Sequence, residues 1–527
     1  MKAYFRQSMS WLHTWTSLVT GWLVFFIFVT GTASFFMYDI TRWMEPERPL
    51  EVGLRQAPQA EQVERALDLL IGQSPDAHLW QIKPAHIRNQ PDNSASRTHL
   101  VVRTFPNPQP RWFDPATGEE ALRPEVRETE GGVAFRRLHH QFHYMDKMVG
   151  IYLAGLCAFL ALAAIVSGVI VHKKIFKDFF AFRPGKGQRS WLDAHNVTSV
   201  MALPFFVMIL YTGLVYYSGH YLPLPGEVIG QFKPNAPAKP TALPVGQRPQ
   251  VPMASLIAEA EAVFGPGKVG QIMVQRLQGQ GLSVDVSRPF GSELTRTVTD
   301  STTLRFDALT GERLPVIGGH DPGTAWFRTL VSLHEAWYAT YPLRWLHFVS
   351  GLLGCFMIAT GMVLWVVKRR ARHAREGIPE HFGLRLMACL NVAVLAGLPV
   401  AVAAYFWANR LLPATLADRA TWELHAMFLT WGWLFCYAAF RPEKRAWVET
   451  LWLAAAAFGL LPLLNALTTD RHLGVTVPAG DWPLAGFDLT MFGLAAMFGA
   501  IAWKLGRKWA ATSPVAAMGD PAVEGVR

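Results

Sequence analysis

Cysteine is scarce. There are four in 527 residues, Cys157, Cys355, Cys389 and Cys436, each inside an apolar run and far from the next. That spacing excludes a disulfide framework and a thiolate metal centre, both of which need paired or clustered thiols. The four read as packing residues. Charge is sparse as well, 17% of the chain against roughly a quarter in ordinary soluble domains. What charge exists is lopsided: Lys and Arg outnumber Asp and Glu by 49 to 39, for a net +10 and a pI near 9.5. In a soluble protein that excess would suggest nucleic acid. Here the basic residues sit beside apolar runs, which excludes that partner and makes the excess a matter of membrane topology. No cleavable leader is expected either: Lys2 and Arg6 precede the first apolar run, but the run is far longer than a leader's and has no clean A-x-A site, so it is expected to stay attached. Nor is there a dinucleotide loop. Gly265-Pro266-Gly267-Lys268-Val269-Gly270 fits G-x-G-x-x-G, yet a helix is expected before it and a strand after it, the reverse of such a site. It reads as a turn.

What is present is hydrophobic, 51% of the chain. Runs long enough to cross ~30 Å of hydrocarbon, which takes about 20 residues, are expected at Trp11–Tyr38, Met148–Val171, Trp191–Tyr217, Trp345–Val367, Leu384–Trp407, Trp422–Phe440, Trp447–Leu467 and Leu484–Trp503. The fold class expected is therefore a mainly α membrane protein of about eight transmembrane helices. Lys and Arg cluster in alternate short loops: Lys2 and Arg6; Lys173, Lys174, Lys177, Arg183, Lys186 and Arg189; Lys368 to Arg375; Arg441, Lys444 and Arg445; Lys504, Arg507 and Lys508. Such residues resist translocation, so this alternation places both termini in the cytoplasm. The organisation expected is a first span (1–40), an outward-facing insertion (41–144), a second span (145–172), a cytoplasmic loop (173–190), a third span (191–218), a second outward-facing insertion (219–344), a fourth span (345–368), a cytoplasmic linker (369–383), a four-helix extension (384–508) and a cytoplasmic tail (509–527).

The chain repeats itself. Each insertion carries a helical stretch, Ala60–Ile71 or Met253–Phe264, then short strands, then F-D-x-x-T-G-E: Phe113-Asp114-Pro115-Ala116-Thr117-Gly118-Glu119 and Phe306-Asp307-Ala308-Leu309-Thr310-Gly311-Glu312. That motif is a strand running into a tight turn capped by Asp, with Gly supplying positive φ. Each insertion is expected to be a small α+β domain. A hydroxyl-glycine pair recurs in the first four spans, Thr30-Gly31, Ser167-Gly168, Thr212-Gly213 and Thr360-Gly361, permitting close helix approach or room for a flat group. The unit of helix, insertion, helix is duplicated.

Histidines follow the duplication. His13 lies 18 residues before Gly31 and His195 lies 18 before Gly213, so the repeat sets them in equivalent places near one end of their helices. Paired imidazoles from different helices suit the axial positions of a membrane haem b, and ionisable residues in hydrocarbon are usually functional. At the other end, Phe135-Arg136-Arg137-Leu138-His139-His140-Gln141-Phe142-His143 aligns with Phe327-Arg328-Thr329-Leu330-Val331-Ser332-Leu333-His334, matching His143 to His334 with one residue of slippage. His139 shares a helical face with His143, so either serves as ligand on this reading; His347 is a further candidate. His172, which ends the second span, is an alternative to His13 or His195, or a partner for a propionate. Arg136, Arg137, Arg328 and Arg344 flank the second site and suit propionates or an anionic complex. The other histidines, His78, His86, His99, His220, His320, His373, His381 and His472, read as surface residues. His425, beside Glu423, stands without a counterpart.

With the duplicated F-D-x-x-T-G-E insertions, Trp11-Leu12-His13-Thr14-Trp15, Val166-Ser167-Gly168-Val169-Ile170-Val171-His172-Lys173-Lys174-Ile175-Phe176-Lys177-Asp178-Phe179-Phe180 and Ser190-Trp191-Leu192-Asp193-Ala194-His195-Asn196, the chain resembles the PepSY-associated transmembrane-helix family over about residues 1–375. The resemblance implies a multi-pass bacterial inner-membrane protein with two periplasmic α+β PepSY-like domains, linked to iron uptake; some members look like di-haem reductases that release iron from ferric siderophores. The family's histidine positions match at His13, His139, His143, His195 and His334. The extension after about residue 384 departs from the minimal pattern.

The expected activity is thus that of a ferric-siderophore or other ferric-chelate reductase with two haems b, one between His13 and His195 and one near His143 and His334, fed by quinol or a separate cytoplasmic reductase. The expected partners are the lipid bilayer, that donor and the ferric complex, with no nucleic acid. The rival is a haem-free transporter or accessory protein of iron uptake whose PepSY domains bind or regulate.

Overall fold

The computed structural model describes residues 3–50, 57–85, 99–105, 109–121, 126–172, 183, 187–222, 240–241, 247–277, 281–289, 291–294, 302–316 and 322–510. Lys173, Lys174, Lys177, Lys186, His86, His320 and the tail from residue 511 lie outside them. The chain divides into two compact units: Met1–Pro46, Val126–Phe206 and Ser350–Arg527 in the first, Glu47–Glu125 and Val207–Val349 in the second. The expected 41–144 insertion is therefore split, because its last turns belong with the membrane helices.

The first unit is helical. It holds α1 (Ala3–Ser34), α2 (Met37–Met44), α4 (Val133–Gln141), α5 (Lys147–Val171), α6 (Gln188–Met201), the start of α7 (Leu203–Tyr216), most of α10 (Tyr341–Glu376), α11 (Phe382–Asn391), a π-helical turn (Val392–Ala396), α12 (Gly397–Leu411), α13 (Arg419–Phe440), α14 (Glu443–Gly459), α15 (Leu461–Thr468) and α16 (Trp482–Ala510). Polar side chains inside α1 satisfy themselves locally: the hydroxyls of Thr14, Thr16 and Thr20 donate to the carbonyls of Ser10, Leu12 and Thr16, one turn back, at 2.7–2.8 Å, as an apolar surround demands. Asp146 caps α5, its Oδ1 accepting from the amides of Met148 and Val149.

Among the described residues six helices are long and apolar enough to cross a membrane, Tyr4–Ser34, Lys147–Val171, Tyr341–Glu376, Phe382–Leu411, Glu443–Thr468 and Trp482–Ala510, and this is a multi-pass membrane protein. The expected third span is not one straight helix. It is the pair α6 and α7, bent by 67°, and Pro204 at the start of α7 accounts for the break, since it offers no amide to the preceding turn. Counting that pair as one span gives seven. The remaining expected span, Trp422–Phe440, is helical within α13 but falls short in hydropathy, being loaded with Glu423, His425 and three tryptophans.

The second unit carries, among the described residues, nine strands in one antiparallel sheet of order β4-β3-β2-β1-β6-β7-β8-β9, with β5 also on β6. These are β1 (Leu79–Lys83), β2 (Leu100–Phe105), β3 (Arg111–Phe113), β4 (Glu120–Ala121), β5 (Pro240–Thr241), β6 (Gln271–Leu277), β7 (Leu282–Ser287), β8 (Thr303–Asp307) and β9 (Arg313–Leu314). The two expected α+β domains are here two four-stranded meanders joined at equivalent strands, with Trp80 opposite Val274 and Ile82 opposite Ile272. Each meander alone would leave that strand as an open edge, and pairing removes both edges. Alternation then sends Trp80, Ile82, Ile272, Val274, Val284 and Phe306 to one face, all 0% exposed. There they pack with Val63 and Leu67 of α3 (Gln59–Gln73) and Leu256 of α8 (Met253–Phe264) in a single core. The F-D-x-x-T-G-E turns are superimposable in chemistry. Asp114 Oδ1 accepts from the amides of Ala116 and Thr117 at 2.7 and 2.9 Å, and Asp307 Oδ1 from those of Leu309 and Thr310 at 2.8 and 2.9 Å. Gly118 and Gly311 stand at φ +76° and +77°. The G-x-G-x-x-G run is the turn between α8 and β6, with Gly265 and Gly267 at positive φ.

Candidate functional site

Four histidines share one local construction, which uses the four hydroxyl-glycine pairs one apiece. His13 Nδ1 bonds the carbonyl of Ala164 at 2.7 Å, and Gly168 lies four residues on. His139 Nδ1 bonds Ile27 O at 2.8 Å, four residues before Gly31. His195 Nδ1 bonds Met357 O at 2.9 Å, four before Gly361. In the second unit His334, near the end of α9 (Pro322–Glu335), bonds Ile209 O at 3.1 Å, four before Gly213. Every ring thus reaches across to a neighbouring helix.

The glycine makes the approach possible. A Cβ placed on Gly31 would stand 2.7 Å from His139 Cε1, on Gly213 2.9 Å from His334 Cε1, and on Gly168 or Gly361 3.1 Å from the facing ring of His13 or His195. The hydroxyl completes the arrangement. Thr30, Ser167, Thr212 and Thr360, each 9% exposed or less, donate one turn back along their own helices to Phe26, Ala163, Met208 and Phe356 at 2.7–2.8 Å. Each also lies 3.0–3.3 Å from the carbonyl that takes the imidazole. The sequence pattern suggested room for a flat group; the room is for the imidazole itself.

The consequence is tautomeric. When neutral, a ring whose Nδ1–H donates to a carbonyl carries its lone pair on Nε2, the outer arrangement that orients metal-bound imidazoles. His13 and His195 do this from separate helices of the first unit, and their ring centres are 6.3 Å apart. Among the described residues no group of three or more His, Cys, Asp or Glu gathers as for a bare ion. Two imidazoles supplied by separate helices are a donor set that would suit haem.

The remaining expected ligands are placed differently. His143, not His139, was the expected match to His334; the structure puts His139 in that role, because Leu138-His139 ends its short helix as Leu333-His334 does. His143 instead stacks on Phe428 at 5.1 Å, beside Tyr144, whose hydroxyl bonds His425 Nδ1 at 2.5 Å. His172 has its Nε2 occupied by the Asn196 amide at 2.9 Å, which ties it to α6, the helix that carries His195. His347 Nδ1 bonds Leu343 O of its own helix and faces no hydroxyl-glycine pair. Of the flanking arginines, Arg137 pairs with Glu130 at 2.5 Å. Arg344 is 0% exposed, its guanidinium 4.2 Å from the Tyr341 ring centre and its Nε on Ala339 O, so an anion from solvent does not reach it.

Sequence reading missed the docking of each histidine on another helix's glycine. The signal was present: as many hydroxyl-glycine pairs as repeat-matched histidines, recurring in the same spans.

Comparison with known proteins agrees with this architecture. The model of the PepSY-associated TM region matches residues 10–368. An uncharacterized protein of Pseudomonas aeruginosa is 25% identical over 385 residues, 67% of this chain and 90% of that relative.

Proposed function

The chain belongs to the PepSY-associated transmembrane family, and we propose that it is a haem b oxidoreductase of the bacterial inner membrane that delivers electrons to a ferric siderophore or similar ferric chelate in the periplasm. The observation that carries the reading is the His13–His195 pair, two imidazoles from separate helices with ring centres 6.3 Å apart, each bonded through Nδ1 to a backbone carbonyl, a construction repeated at His139 and His334. Haem, when bound, supplies reversible one-electron chemistry. His13 and His195 would hold one haem; His139 would ligate a second, and His334 makes the same Nδ1 bond to a carbonyl. Ser167, Thr30, Thr212 and Thr360 keep the accepting carbonyls in place, and the glycines admit the rings.

The orientation in this reading rests on the alternation of Lys and Arg, which favours cytoplasmic termini and a periplasmic sheet unit. One electron converts a ferric chelate to a ferrous one, which siderophore-type ligands hold weakly, so the metal leaves with the chelator intact. Quinol or a separate reductase is the proposed donor. Purified protein is expected to carry two haems b with a dithionite-reduced b-type band. A colourless protein that takes up no haem would overturn the reading and favour a haem-free accessory role.

A further inference from the structure

Between residue 126 and the start of α4 the chain has no regular structure, yet this segment leads directly into the helix that carries His139. Four of its polar groups bond to the C-terminal extension, while the Gly132 amide donates to Thr41 Oγ1. Arg419 Nη1 donates to Glu128 O at 3.0 Å, Thr129 Oγ1 donates to Glu423 Oε2 at 2.5 Å, the Tyr405 hydroxyl donates to Gly131 O at 3.0 Å, and Arg127 Nη1 donates to Asn409 O at 2.7 Å. Two residues into α4, Phe135 is 0% exposed, with ring centres 5.6 Å from Tyr405 and 5.7 Å from Phe406.

The extension maintains this grip with charges it buries completely. Arg419 and Glu423 are both 0% exposed and paired, and the Asn409 amide donates to Glu423 Oε1 at 2.7 Å. Arg410 donates to Asn465 Oδ1 at 3.1 Å, and Asp488 accepts from Trp43 Nε1 and Asn465 Nδ2, which ties α12, α15 and α16 to α2. Apolar packing would dock helices at lower cost than an Arg–Glu pair stripped of water. What the charged network adds is one permitted arrangement of the segment it holds.

We propose that the four-helix extension is the positioning element of the His139 haem ligand, with Arg419, Glu423 and Tyr405 as positioning residues that fix the approach of α4 to the Ile27 carbonyl. This rests on the haem reading above. The test uses the full-length protein with Tyr405→Phe, which removes one hydroxyl and keeps the ring on Phe135, and Glu423→Gln, which keeps the size and removes the charge. Trp407→Phe, which loses only a bond to Ala457 O within the extension, is the control. Two readouts apply: amide exchange over residues 127–138, and the EPR and redox midpoint of each haem, with the His139 haem identified by its loss in His139→Ala.

In both test variants exchange over 127–138 should rise roughly fivefold per hydrogen bond lost, and the His139 haem alone should shift in g-values and midpoint. Unchanged exchange and spectra, an equal shift of both haems, or the same shift in Trp407→Phe would overturn the proposal. If the wild type binds no haem, the ligand reading fails by itself, and the exchange experiment still decides whether the extension holds the segment. A Glu423→Gln protein that does not fold leaves Tyr405→Phe to decide.

Discussion

His13 and His195 stand 182 positions apart in the chain, yet their imidazole centres are separated by 6.3 Å, and each ring is anchored through Nδ1 to a third and a fourth piece of helix. Two side chains so placed act as a pair only if both are present. His13→Ala and His195→Ala are each expected to lower haem from about two per chain to about one, and the double variant to do no worse than either single one. Haem-to-protein ratios by pyridine haemochrome check this. Full retention of haem in both single variants would remove the pair from the site.

His139 and His143 share a helical face in the sequence and part company in the structure. His139→Ala should lose a haem, as should His334→Ala, while His143→Ala should keep full haem content, since its ring stacks on Phe428 and has no glycine pair. The same measurement decides; haem loss in His143→Ala alone would restore the expectation drawn from the sequence.

The glycines give a graded prediction. Alanine at Gly31 would place Cβ 2.7 Å from His139, whereas alanine at Gly168 would stand 3.1 Å from His13. Gly31→Ala is therefore expected to cost more haem occupancy than Gly168→Ala. Both gain about 1 kcal/mol of helix propensity, so melting temperatures should hold or rise as haem falls. Loss of fold together with haem would mean that the glycines serve helix packing.

Asp114 and Asp307 make the last prediction. The Thr117 amide holds the Asp114 carboxyl below its ordinary value, and the Thr310 amide does the same for Asp307. A depressed folded pKa means stability that is present above the unfolded value, here 3.8, and is lost as pH falls through the folded one. Amide exchange in β3–β4 and β8–β9 should accelerate only in acid below that point. Asp114→Ala or Asp307→Ala should weaken its own turn by about 1 kcal/mol at neutral pH and remove that turn's acid dependence.

Much of this was legible beforehand because it is written in local pattern. Apolar length set the spans, F-D-x-x-T-G-E set both turns, and the spacing of His13 from Gly31 and of His195 from Gly213 showed the duplication. Three features were not legible, each for a physical reason. The break between α6 and α7 arises from one proline within a run whose hydropathy continues through it. The fusion of the two meanders depends on which edge strand meets which, and strand sequences do not record their partners. The docking of His139, and not His143, on a glycine turned on where a helix of nine residues stops: it ends at Gln141, so the four-residue spacing that would put His143 on the same face is not helical throughout. Glu423 and Arg419 were visible only as charges within an apolar stretch; their target, a loop nearly 300 positions earlier, is a tertiary fact.

The seam between β1 and β6 makes the two copies of the duplicated unit obligate. Removing either copy would strip the backbone donors and acceptors of Leu79–Ile82 or Ile272–Gln275 of their counterparts and leave an adhesive strand in the open. A fragment that stops after the first copy should stick to itself through that strand.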